Sequence, residues 1–188
     1  DMTEPVTAHT QRFVRSVWTL DRDLAYARHY PAVAWSGSFS RDAEPLALWH
    51  AHGGDPGWAQ RRARAIALLS DADRLSALAD LVGVGAMPAS ERVTMLAGRL
   101  LREGVLQQSA LSPTDAFCSQ AKGAALLDAV LTVVDRCDTL VGSGLPAADL
   151  EETDFGPLLR AAQETGSEDV TGVHEHLDVM LGRLEAQR

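Results

Sequence analysis

The side chains able to do chemistry are few and scattered along the chain. Two His-x-His pairs stand at His50-Ala51-His52 and His174-Glu175-His176. Imidazoles two residues apart do not share a helix face, and no third ligand follows at a metal-site spacing, so neither pair reads as a metal centre. Glu151, Glu152 and Asp154 form an acidic cluster that reads as a solvated face beside a loop. Nucleotide hydrolysis needs a phosphate cradle, a metal and a group that positions water. The Gly-x-x-x-x-Gly-Lys-Ser/Thr run that supplies the first two is missing. The only lysine, Lys122, sits instead in Gln120-Ala121-Lys122-Gly123, and its rarity reads as coding bias more than chemistry. Cys118 and Cys137 belong to no Cys-x-x-Cys pair. They read as reduced thiols, although the sequence leaves a disulfide between them open. A Ser-His-Asp triad is defined by geometry, so one sequence argues for none. Two aromatic rings complete the set: Tyr30, followed by Pro31, and Phe117, in Asp115-Ala116-Phe117-Cys118. By periodicity alone each is an ordinary core aromatic.

The elements that must position these groups are mostly helices. Asp1 to Ala8 is polar, contains Pro5 and reads as a loop. From Thr10, the apolar residues Phe13, Val14, Val17, Trp18 and Leu24 predict a helix that Tyr30-Pro31 ends, because proline drives the preceding residue out of the α region. Ala32 to Arg41 is the one plausible extended segment. Asp55-Pro56 is a helix start, with the aspartate as N-cap and the proline in the first turn. The helix that follows carries Ile66, Leu68, Leu69, Leu75, Leu78 and Leu81, with a possible break near Ser70-Asp71. Gly83 to Pro88 is a loop, and Val93, Leu96, Ala97, Leu100 and Leu101 form the next amphipathic stripe, ending near Gly104 or Leu106. Gln107 to Cys118 is an irregular connection. Ser119 caps a strong helix carrying Leu127, Val130, Leu131, Val134 and Val141, which Gly142 to Pro146 breaks. Helices over about Asp149–Glu164 and Glu168–Glu185 close the chain. The fold class is all-α, a helical bundle with a short extended entry.

With 188 residues, of which 46% are hydrophobic, the chain can bury a sizeable core. Its 17 basic against 26 acidic residues give a formal charge of −9. A surface that negative repels phosphate backbones and anionic lipid, which argues against nucleic acid as a partner. No apolar stretch is long enough to span a bilayer and no signal peptide opens the chain, so any link to a membrane runs through partners rather than direct insertion. The opening Asp1-Met2-Thr3-Glu4-Pro5-Val6-Thr7 reads as the middle of a polypeptide rather than a translation start.

Three segments in order resemble the catalytic A (alpha) subunit of V/A-type rotary ATPases and ATP synthases. They are Asp1 to Thr7 with Thr10; Leu20-Asp21-Arg22-Asp23-Leu24-Ala25-Tyr26-Ala27-Arg28-His29-Tyr30-Pro31-Ala32-Val33-Ala34-Trp35 with Ser38-Phe39-Ser40; and Leu101-Arg102-Glu103 through Leu106-Gln107-Gln108 to Asp115-Ala116-Phe117-Cys118. The resemblance runs to about Val141 and is loose from Gly142 onward. Asp-Met-Thr also opens this region in the non-catalytic B subunit, which would continue with His-Pro-Ile-Pro. Glu4-Pro5-Val6-Thr7 and the His29-Tyr30-Pro31-Ala32 signature favour the catalytic type. Arg41 departs from the pattern, since an apolar residue is expected after Ser40; it is a candidate interface residue, and it resembles the transition-state arginine of the non-catalytic partner.

The resemblance implies the carboxy-terminal helical part of a catalytic subunit. Residues 1–41 would be the tail end of the nucleotide-binding domain and 42–188 the helical bundle. Two aromatics flank the adenine in this family, and the matching positions are Tyr30 and Phe117, with Thr114, Ala116 and Cys118 as weaker pocket-wall candidates. Pro31 would hold Tyr30 extended for presentation from a loop. Asp1, Thr3 and Glu4 match a loop that touches the central rotor stalk. Val84 to Glu91, with Ala86, Met87, Pro88, Ala89, Ser90 and Glu91 at its end, matches the lever that pushes the rotor, here by steric contact because only one carboxylate is present. The implied cofactor is ATP or ADP with Mg2+ in the intact subunit, none being expected on this stretch alone, which has no catalytic residue of its own. The implied partners are B subunits in an alternating A3B3 ring and the rotor stalk, in a proton-translocating complex that is cytoplasmic and peripheral to the membrane. A rival reading is a free-standing helical interaction module that never binds nucleotide; Arg41 alone hints at a non-catalytic subunit.

Overall fold

The computed structural model describes residues 5–10 and 12–187, and they fall into two compact units, Asp1–Gln60 and Arg61–Arg188. The first holds helix α1 (Pro5–Thr10), strand β1 (Ser16–Val17), helix α2 (Arg22–Tyr26), strand β2 (Phe39–Ser40) and helix α3 (Ala43–His52). Three expectations are corrected here. Pro5 to Ala8 is helical rather than loop, and the long helix expected from Thr10 to Tyr30 does not form. The stretch between Ala43 and His52, given no start signal in the sequence, is a helix.

The second correction has a local cause. Ser16, Val17 and Thr19 are poor helix residues whose side chains find partners across a narrow antiparallel ribbon. Ser16 pairs with Ser40 and Val17 with Phe39. The Thr19 hydroxyl donates to Gly37 O at 2.6 Å, and a single bridge joins Leu20 to Val33. So Ala32 to Arg41 is extended as expected, but its partner strand lies inside the segment that periodicity made helical. Asp21 then restarts the helix by accepting from the amides of Asp23 and Leu24. The helix ends well before Tyr30, with Ala27 as cap and Arg28 in the left-handed region at φ 57°. Among the described residues of this unit none is fully buried, and Phe13, Trp18, Leu20 and Tyr26 are largely exposed. Their spacing therefore marks no buried helix face.

The second unit is the expected bundle. Its elements are α4 (Trp58–Val82, whose first turn belongs to the first unit), a 3-10 turn at Val84–Ala86, α5 (Ala89–Leu101), a π-helical turn at Arg102–Leu106, α6 (Gln120–Gly142), α7 (Ala147–Glu151), α8 (Gly156–Glu164) and α9 (Val170–Glu185). α4 runs unbroken through Ser70-Asp71, because both lie on its exposed face while Leu69, Ala72, Leu75 and Ala79 keep one buried stripe. The helix expected over Asp149–Glu164 is two. Thr153 donates to Asp149 O, the Asp154 carboxylate takes the Gly156 amide at 2.8 Å, and Pro157 stands in the first turn of α8. Buried Phe155 fills the corner.

α6 is the central helix, packed against α5 on one side and α9 on the other. It is apolar around much of its circumference, with Ala125, Leu126, Ala129, Val130, Leu131, Val133, Val134, Cys137 and Leu140 all buried. α4 adds ion pairs to its buried stripe: Arg61 and Arg64 reach Asp128 and Asp135 of α6, and Arg102 reaches Asp73 of α4. α5 is tied to α7 by a two-bond pair in which Arg92 Nε and Nη2 donate to Glu151 at 2.8 and 2.5 Å.

That hydrogen bond holds the Glu151 carboxyl below its ordinary pKa range. A depressed folded pKa contributes stability that is present above the unfolded value, about 4.3 for glutamate, and is lost as pH falls through the folded one. Arg92→Met is expected to lower the melting temperature at pH 7, the pair contributing about 1 kcal/mol or less at this exposure. The gap between variant and wild type should close as the pH drops below about 4. A gap that persists under those conditions assigns Arg92 a packing role instead.

Candidate functional site

The most built feature of the second unit is the connection between α5 and α6. The π-helical turn leads the chain out of α5, with the Gln107 amide donating to Arg102 O at 2.8 Å. A loop follows that has little apolar burial and is held by polar groups. The Asp115 carboxylate is buried and accepts from the Ser109 amide at 2.6 Å, while Gln108 Nε2 donates to Asp115 O at 2.6 Å. The Ala116 amide closes onto Ser112 O at 2.8 Å. Thr114 Oγ1 donates to Gln163 O, near the end of α8, at 2.5 Å. The Ser119 amide donates to Ser167 O at 3.0 Å, and the Ser119 hydroxyl caps α6 by accepting from the Lys122 amide at 3.1 Å.

Lys122 lies beneath this loop with no exposed surface. Its ammonium donates to Thr114 O at 3.2 Å, Ala162 O at 2.7 Å and Thr165 O at 3.0 Å. Three donors thus meet three carbonyls, which is the condition for burying a lysine without a large desolvation penalty. Two of those carbonyls belong to the C-terminal end of α8, where the last carbonyls of a helix lack partners and a cation is favoured. The chain carries 17 Lys+Arg, of which one is Lys122 and so 16 are arginine. The single exception falls where three carbonyls converge on one compact ammonium. Reading the lysine as coding bias was wrong at this position. The signal was present: a charged residue in the first turn of a long, largely apolar helix.

The fixed loop presents Phe117 outward, 79% exposed, with Ala116 and Cys118 exposed on either side. Phe117 is therefore not the core aromatic that periodicity alone suggests. Thr114 is partly buried and spends its hydroxyl on the loop's own fixation. Although the residue is exposed, partial desolvation of its sulfur holds the Cys118 thiol above its ordinary pKa, with Lys122 opposing the shift and the Asp115 charge adding to it. Cys137 is buried in α6 and pushed up to about 12, chiefly by burial. The two cysteines are unpaired.

Tyr30 belongs to the first unit. Its ring is 53% exposed, its hydroxyl donates to Ala25 O at 3.4 Å, and the Tyr30–Pro31 peptide is cis. Arg41 is exposed, with its amide donating to Arg15 O and its Nη1 to Arg12 O at 3.4 Å. Asp1, Thr3 and Glu4 lie outside the described residues.

The α4–α5 turn is compact. Gly83 takes φ 85°, a left-handed conformation that suits glycine, and the 3-10 turn follows. Of the candidate contact residues, Ala86, Pro88 and Ser90 are exposed and Ala89 and Glu91 half-buried. Met87 is a correction: only 6% exposed, it clusters with Leu75, Ala79 and Met95 and anchors the turn from within. The surface of the tip comes instead from Leu81, which is 83% exposed, with Val82 and Val84. Leu81, one of the apolar residues this helix carries, falls off the buried Leu69, Ala72, Leu75, Ala79 stripe, as counting along the helix requires.

The histidines have local roles. His50 stacks on Trp58 with ring centroids 4.6 Å apart, His52 Nδ1 lies 2.6 Å from Leu48 O, and His176 Nδ1 lies 2.8 Å from Pro157 O. Among the described residues no group of three or more His, Cys, Asp or Glu is placed to hold a metal, and no helix is long and apolar enough to cross a membrane.

A long α4–α5 hairpin, a central α6 and an exposed aromatic on the loop between α5 and α6 define an all-helical domain. Residues 48–143 match the family described as the C-terminal domain of V and A type ATP synthase, and the chain belongs to that family. It is similar to the V-type ATP synthase alpha chain of Nitrosococcus oceani, at 44% identity over 80% of this chain and 25% of that protein. Against the V-type ATP synthase alpha chain of Anaeromyxobacter sp. strain K it is 39% identical over 100% of this chain and 33% of the relative. The corresponding A-type ATP synthase protein of Haloferax volcanii, its A subunit, is 36% identical over 100% of this chain and 30% of its own length. The chain spans between a quarter and a third of these curated relatives.

Proposed function

We propose that the chain acts as the helical end of the catalytic nucleotide-binding subunit of a proton-translocating V/A-type ATP synthase. It would supply the aromatic walls of the adenine pocket and the lever that passes nucleotide-driven closure to the rotor. The observation that carries this reading is Phe117: a large apolar ring held out into solvent by a polar-fixed loop. A purine stacked on such a face gains about 1–3 kcal/mol without its edge being read. Tyr30 would supply the second ring, and Ala116, Cys118 and Thr114 the rim. ATP or ADP with Mg2+ would be held by the rest of the subunit, since this stretch carries no phosphate cradle.

The division into 1–41, as the tail end of the nucleotide-binding domain, and 42–188, as the helical domain, belongs to the same proposal. It is supported by the outward-facing Phe13, Trp18, Leu20 and Tyr26, an apolar area that a neighbouring domain would cover. Alternation with B subunits in an A3B3 ring would place Arg41 at an interface. The apolar tip at Leu81, Val82 and Val84, with Ala86 to Glu91 beside it and Asp1, Thr3 and Glu4 at the other end of the chain, would meet the rotor stalk. The assembly would lie at the cytoplasmic face of a membrane, attached through its partners. Nucleotide contacts would bias the subunit from an open toward a closed domain arrangement, and the tip would carry that displacement to the rotor.

The test is ATP binding to the complete subunit carrying Phe117→Ala. The expected result is a dissociation constant raised roughly tenfold. Unchanged affinity removes Phe117 from the pocket and withdraws the reading.

A further inference from the structure

Lys122 sits in the first turn of α6, faces no solvent, and joins two stretches of backbone, the loop before α6 and the end of α8. Thr114 O belongs to the loop that carries Phe117, Ala162 O to the end of α8, and Thr165 O to the segment that opens the α8–α9 connection. Thr114 Oγ1 makes a parallel link from the loop to Gln163 O. Thr165 turns back on Ala161 O through its amide at 3.2 Å and its hydroxyl at 2.7 Å. The carbonyls of Ala161, Ala162, Gln163 and Thr165 are thereby all matched with donors, two of them from one ammonium. The Phe117 loop is consequently not free to move independently of the end of α8.

We infer that Lys122 is a positioning residue for the nucleotide site: by clamping the Thr114 carbonyl to the end of α8, its ammonium sets where Phe117 is presented, without touching nucleotide itself. This rests on the adenine-pocket reading of Phe117 given above. Charge-assisted hydrogen bonds from a buried cation are strong and directional, and no neutral side chain of similar length supplies three donors. Lys122→Met keeps the aliphatic stem and volume but leaves three carbonyls unpaired. The loop then keeps its internal Asp115, Gln108 and Ala116 bonds, and its ties to the α8 side fall to those of the Thr114 hydroxyl and the Ser119 amide, so the ring samples a wider range of positions. An aromatic that must be ordered at the moment of binding stacks less tightly than one already in place.

The experiment uses the complete subunit, with Lys122→Met, Phe117→Ala and the milder pair Thr114→Val and Thr114→Ser. Amide exchange is measured on the 107–118 segment and on the 125–140 stretch of α6. Equilibrium binding is measured with ATP and with inorganic tripolyphosphate, which has phosphates but no base to stack. Lys122→Met is expected to speed exchange in 107–118 while 125–140 stays protected, and to weaken ATP roughly tenfold with tripolyphosphate unchanged. Thr114→Val should shift both readouts in the same direction by less, and Thr114→Ser should restore them. Because Lys122 acts through Phe117, the double variant should bind ATP no more weakly than Phe117→Ala alone.

If Lys122→Met weakens ATP and tripolyphosphate equally, or exposes 125–140 together with the loop, the effect is general unfolding and the inference is overturned. Should Lys122→Met fail to yield folded subunit, the Thr114→Val and Thr114→Ser pair decides the same question. If Phe117→Ala weakens ATP while Lys122→Met and Thr114→Val do not, positioning by Lys122 is overturned and the pocket reading stands. If neither Phe117→Ala nor Lys122→Met changes ATP binding, it is the pocket reading that has failed, and the inference falls with it.

Discussion

Gly98→Val is expected to destabilise the protein by about 1–3 kcal/mol, more than an ordinary surface change in a helix. Gly98 is buried in α5 where that helix crosses α4, and a Cβ built on it would lie 2.3 Å from the Ala72 Cβ. No pair of real carbon atoms tolerates that separation, so the helices must part or the side chains must leave their rotamers. Glycine in a helix interior itself costs about 1 kcal/mol relative to alanine. The close crossing therefore offsets a penalty that the sequence accepts at this position. Valine recovers less of that propensity than alanine and adds two methyls, so the clash dominates. The urea midpoint of the single variant should fall, and Ala72→Gly added to it should recover part of the loss, giving a coupling of opposite sign to the single effects. An unchanged midpoint in Gly98→Val would mean that α4 and α5 do not approach so closely.

Introducing charge at the tip of the α4–α5 hairpin is expected to separate catalysis from coupling. Leu81, Val82 and Val84 form an apolar surface at the end of a helix of 25 residues, about 37 Å of nearly rigid rod. Met87, packed with Leu75 and Ala79, anchors the turn to the end of α4. Under the proposed function this tip presses on the rotor. Carboxylates forced into that apolar contact are desolvated without partners, which costs several kcal/mol per group in a closed interface. The assembled complex carrying Leu81→Asp with Val84→Asp should still hydrolyse ATP, while proton pumping per ATP falls about tenfold or more. Melting of the subunit should hardly change, because both side chains already face water. Equal loss of hydrolysis and pumping would place the defect in the nucleotide site, and normal pumping would remove the tip from the rotor contact.

Much of the second unit is legible in the sequence alone. The Ser119 cap, the apolar α6, the Val93 to Leu101 stripe and the Gly83 and Gly142 breaks each follow from local chemistry that tertiary contacts reinforce rather than oppose. The first unit was misread because its apolar residues are not packed within the described structure. Phe13, Val17, Trp18 and Leu24 fall at helical spacing, but spacing reports a helix only when one face of it is buried together. Here a cross-strand pair of serines and the Asp21 cap decide the outcome instead.

The candidate site divides along the same line. The identities of the exposed rings and the family to which they belong are carried by short runs of residues, and these are read in one dimension. That Phe117 stands in solvent, that Met87 turns inward and Leu81 outward, and above all that Lys122 gathers carbonyls from 114, 162 and 165 required the folded chain. Backbone carbonyls are present at every residue and carry no mark in a sequence. Only packing determines which of them are left without a donor, and so which buried cation they can hold.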